Sequence, residues 1–128
     1  MFRNDYIMRQ IDSLVMVLAK MLVGKTVPVY ERQDEVNPTA ADQLHDELMA
    51  LIDSNRMNEA ENLLFEHLEA GFENALSLAL DFYYRLNLLT DDQLASAGFS
   101  RGEIDSGLRD AVNILGLSAF LENETGNK

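Results

Sequence analysis

The chain has no cysteine, two prolines and seven glycines in its 128 residues. Each shortage closes off a class of protein. Without thiols there is no disulfide and no thiolate metal site, which fits a reducing compartment such as the cytoplasm. The glycines are dispersed, with Gly98, Gly102 and Gly107 spread through caps and a helix rather than gathered into a phosphate-cradling loop. Gly98-Phe-Ser100-Arg-Gly102 has the Gly-x-Ser-x-Gly spacing, but with no strand pattern before it there is no nucleophile elbow, and only scattered serines remain for nucleophilic catalysis. Long apolar runs are missing too. The stretch Leu14–Val23 is ten residues interrupted by Lys20, whereas a membrane span needs about 20. Asp5 and Asp12 spoil a secretory leader, and no small-residue cleavage site follows. Basic residues are few: ten against 22 acidic, a net charge of −12. Such a chain repels phosphate backbones, which excludes nonspecific nucleic-acid binding.

What is present points to helix. Leu, Ala, Glu and Met dominate, hydrophobic residues make up 47% and charged residues 25%, and strand alternation does not appear. A single all-α domain of residues 1–128 is predicted, with five to seven helices. Its parts are an apolar N-terminal helix within 1–24, a linker at 25–37 and a helical body at 38–128.

Ile7, Ile11, Leu14, Val15, Leu18, Met21 and Leu22 recur at spacings of three and four, which predicts a first helix over 5–23 with Gly24 as its left-handed cap. Met16, Val17 and Val23 add apolar surface beyond that stripe. Burial on two sides, a homodimer or peripheral membrane contact would each satisfy it. Pro28 forbids helix in the connection that follows. Thirteen residues at 25–37 would let the first helix pack at a distance or exchange between protomers.

Asn37 with Pro38, or alternatively Thr39 with Asp42, opens a second helix reaching Asp53. A third covers Met57–Ala70 up to Gly71, and a fourth covers Phe72–Asn87. Thr90 with Gln93 and Ser100 with Glu103 are capping boxes for a short helix and a last long one. The latter carries Ile104, Leu108, Val112 and Leu115, and after Gly116 a turn with Leu117, Phe120 and Leu121 follows.

The centre of the chain is a helical hairpin. Ala60 lies nine residues after Leu51, and a small side chain there lets antiparallel helices approach closely. Asn55 suits a left-handed turn position, and Met57 can seal the turn. Asn55-Arg-Met57-Asn-Glu59-Ala60-Glu61 followed by Leu64 resembles a tetratricopeptide-repeat unit, although Leu44 and Leu48 stand where that family has aromatic and glycine positions. The opening Met1-Phe-Arg-Asn-Asp-Tyr-Ile-Met-Arg9, with Asn58–Asn62 and Phe99–Ile104, resembles an uncharacterised family of small all-helical, repeat-like bacterial proteins. That resemblance implies a helical fold and a cytoplasmic bacterial setting, and brings no catalytic residues with it.

Chemistry has few footholds. His45 precedes Asp46, as in metal-dependent phosphohydrolases, yet no histidine lies upstream of it. A metal-dependent helical hydrolase would have to unite His45 and His67 with nearby carboxylates. Glu66 and Glu69, with Glu73, form half of a magnesium pattern and lack the second pair. A calcium loop begun at Asp53 fails, with Asn58 where glycine is needed and Leu64 where a bidentate glutamate is needed. No cofactor is called for. The expectation is therefore a noncatalytic interaction or adaptor module, binding a protein partner or itself as a homodimer. The expected surface is Ile7, Ile11, Leu14, Leu18 and Met21 of the first helix with Tyr83 and Tyr84 of the aromatic triplet, beside an acidic Glu59–Glu73 face that would attract a basic partner.

Charge is unevenly divided along the chain. Residues 1–30 hold four basic residues (Arg3, Arg9, Lys20, Lys25) against two acidic, and residues 31–128 hold six basic against twenty acidic.

Overall fold

The computed structural model describes residues 2–71, 74–119 and 121, with side chains from residue 5 onward. Six α-helices follow one another, and the described residues contain no strand. They are α1 (Phe2–Leu18), α2 (Ala40–Asp53), α3 (Met57–Glu69), α4 (Ala75–Asn87), α5 (Asp91–Ser96) and α6 (Arg101–Ile114). Their apolar faces share one core.

Helix α1 is the central element rather than an appendage. Ile11, Leu14, Val15 and Leu18 are buried, and the helix packs on both α4 and α6. Asn87 at the end of α4 donates to the Met8 carbonyl (2.9 Å) and to Asp12 (2.8 Å). At the other end Ala19 and Val23 sit beside Ser77 and Leu80, so α1 and α4 run antiparallel. Of the surplus apolar residues, Val17 and Val23 are half-buried and Met16 stays exposed at 38%.

The end of α1 departs from the expected winding. Ala19–Val23 forms a π turn that closes on Gly24 in the left-handed conformation (φ 80°). A π turn rotates less per residue than an α turn, so the three-and-four spacing loses phase there. Met21, placed inward by that spacing, is 60% exposed.

The α2–α3 hairpin forms as read: Asn55 is left-handed (φ 67°), Met57 is 2% exposed and Ala60 is fully buried. Helix α2 starts on the Thr39–Asp42 capping box, because Asn37 belongs to a turn in which Asp34 accepts the N–H groups of Val36 and Asn37. The Thr90–Gln93 box forms as expected, whereas the Ser100–Glu103 box forms only by half, the Ser100 hydroxyl accepting from the Glu103 N–H. Helix α4 begins at Ala75; Phe72, Glu73 and Phe120 lie outside the described residues.

The segment between Gly24 and Thr39 has no regular structure, yet it is no loose linker. It is tied down by two fully buried carboxylates. Asp42 of α2 accepts from Tyr30 Oη (2.7 Å) and from the backbone N–H groups of Gln33 (2.8 Å), Asp34 (3.1 Å) and Thr39 (3.0 Å). Asp81 of α4 accepts from the Tyr30 N–H (3.0 Å) and Arg85 Nε (2.9 Å), and pairs with His45 Nε2 (2.8 Å). The segment is a strap pinned across α2 and α4, and Tyr30 is its plug.

Candidate functional site

Most of the expected interaction surface is core. Ile11, Leu14 and Leu18 are at most 1% exposed and Tyr83 is 0% exposed, while Ile7 and Tyr84 are half-buried. Met21 alone of that set is open to solvent. The reason is the central position of α1: its apolar stripe fills the space between α4 and α6, and the stripe cannot also face a partner. Of the aromatic triplet, Phe82 and Tyr83 both point inward and pack edge to face at 5.0 Å.

The two histidines go to different partners. His45 pairs with Asp81 and lies against the Tyr30 ring (centroids 4.9 Å apart), whereas His67 Nδ1 lies 3.0 Å from the carbonyl of Leu63. Among the described residues no group of three or more histidines and carboxylates is arranged to hold a metal ion. Glu66 and Glu69 are exposed on α3. The buried cluster of Tyr30, Asp42, His45 and Asp81 serves the strap. Burial pushes the Asp42 carboxyl up, but its donors from Gln33, Tyr30, Thr39 and Asp34 outweigh this and hold it well below the usual carboxylate range. Burial, helped by the hydrogen bond to Asp42, moves the Tyr30 phenol up to about 12.

A different place presents chemistry to solvent. Helices α3 and α6 flank a concavity of about 340 Å³ lined by Glu61, Asn62, Phe65, Glu103, Ser106, Gly107 and Asp110. Gly107 creates it. A Cβ there would lie 2.6 Å from Tyr83 Oη and would collide with the Glu61 carboxylate, so the missing side chain lets Tyr83 donate to Glu61 (2.6 Å) under the α6 backbone. Burial raises the Glu61 pKa; the Tyr83 hydrogen bond opposes this, and the charges of Glu103 and Asp110 add to it. Burial, then the charge of Glu61, raises Tyr83 in turn. No cation neutralises Glu61, Glu103 or Asp110 among the described residues. Half-buried Phe65 supplies an apolar wall. The expected Glu59–Glu73 face spans Glu61; its partners on α6, more than forty residues downstream, went unnoticed because nothing local links them. The glycine inside an otherwise helical pattern was the one available signal.

The fold and this groove define a small all-α protein with an open acidic concavity. No helix among the described residues is long and apolar enough to cross a membrane. The chain belongs to a family of unknown function, DUF6483, whose model matches residues 1–116. No curated protein and no solved structure matches it.

Proposed function

We propose that this protein is a noncatalytic interaction module that holds a cationic, partly apolar segment of a protein partner in the α3–α6 groove. The observation that carries this reading is the set of three carboxylates without a cation, beside Phe65, in an open concavity. Like charges held together raise one another's cost, and a Lys or Arg side chain from outside relieves it. The likeness of the α2–α3 hairpin to a tetratricopeptide-repeat unit supports a scaffold role, and the absence of cysteine agrees with a reducing compartment.

The test is a titration of the full chain with two synthetic amphipathic peptides, one built of Lys and Leu, the other of Glu and Leu. The Lys/Leu peptide is expected to bind. Its affinity should fall about tenfold or more as salt rises from ~0.05 to ~0.5 M, since screening acts on exposed pairs, and should fall again in Asp110→Asn. Equal binding of both peptides, or of neither, overturns the reading.

A further inference from the structure

The cations of the described chain are almost all spoken for. Lys25 pairs with Glu31, Arg32 with Asp46, Arg56 with Glu59, Arg85 with Asp81, Arg101 with Asp91 and Arg109 with Asp105. Among side chains described, Arg9 and Lys20 have no carboxylate partner, and both are exposed on the outer side of the central helix and its π turn. The same side exposes Tyr6 (61%), Met16 (38%) and Met21 (60%), with Asp5 as the acid at its start. A cationic, partly apolar helix face thus stands on a molecule whose α3–α6 groove is acidic with an apolar wall.

We infer that the outer face of α1 docks into the α3–α6 groove of a second copy, head to tail; this rests on the groove reading above. The face cannot fill its own groove, because the inner side of α1 is held in the core and Asn87 clamps it at Met8 and Asp12. The two halves of the contact are different surfaces, so each copy offers one of each and the assembly can grow beyond a dimer unless the rotation closes a ring. The overall charge of −12 opposes association at long range. At ~0.15 M salt the screening length is about 8 Å, which damps that repulsion and spares pairs in contact.

The experiment is sedimentation velocity on the full chain at ~0.15 M salt over a wide concentration range. It uses the wild type, Lys20→Glu, Asp110→Lys, and a mixture of those two variants. Both substitutions are at exposed positions away from the core. The wild type should gain mass with concentration, and each variant alone should associate roughly tenfold more weakly. The mixture should regain association, because Lys20→Glu retains a sound groove, Asp110→Lys retains a sound helix face, and the two substituted surfaces again carry opposite charges. A wild type that stays monomeric overturns the inference, as does an Asp110→Lys chain that associates like wild type, or a mixture that regains no association. If the wild type is monomeric while the Lys/Leu peptide binds, the second-copy inference falls and the groove reading stands; if the peptide fails as well, both fall.

Discussion

Asp42 shows how much of this fold hangs on single side chains. One carboxylate accepts four donors from three parts of the chain: a tyrosine hydroxyl, two strap amides and the amide of its own helix cap. An asparagine of the same shape has one acceptor oxygen in place of two and turns an NH2 group toward donors, so buried N–H groups lose their partner. Asp42→Asn should therefore melt at lower temperature than wild type at pH 7. Because the folded carboxyl titrates below its ordinary value near ~3.9, its contribution is complete above that pH and is lost as pH falls towards the folded value. Melting temperatures of the two proteins should accordingly converge as pH drops below about 4. A gap that stays constant down the acid range would mean that the ionised carboxylate is not what holds the strap.

At the scale of elements, the helices were legible and their mutual placement was not. Thr90 with Gln93, Ser100 before Glu103, Asn55 in the turn and Gly24 after α1 all act within a few residues, so the sequence alone shows them. The strap was read as a long linker because what fixes it lies far off: Tyr30 reaches Asp81 across 51 positions. The α1 stripe was legible as apolar, but periodicity says that a face is covered and not by what. The inward placement of Met21 failed for a further reason, the π turn, which follows no residue pattern. The central position of α1 has a measurable consequence. Leu14 is 1% exposed between α4 and α6, so Leu14→Ala should cost about 2–5 kcal/mol, the range for emptying a packed leucine site. Urea unfolding checks it. A variant with wild-type stability would mean that this face is not core after all.

For the whole molecule, electrostatics works in two opposite directions. Six ion pairs use up the cations of the described chain after residue 24, but four of them, at Lys25, Arg32, Arg56 and Arg109, join side chains that are partly or largely exposed and contribute little. The surplus of acid remains, −12 overall, and Glu61 of α3 with Glu103 and Asp110 of α6 bring part of it into one groove. Self-repulsion of this kind destabilises the compact state, and at low ionic strength it acts across the whole molecule, since the screening length at ~0.01 M is about 30 Å. If repulsion outweighs the surface pairs, added sodium chloride stabilises the fold. The melting temperature should then rise between ~0.01 and ~0.3 M salt at pH 7, and the rise should be smaller in Asp110→Asn, which removes one of the three groove charges. A melting temperature that falls with salt would assign the balance to the ion pairs instead, and would remove the electrostatic tension on which the attraction of a cationic partner depends.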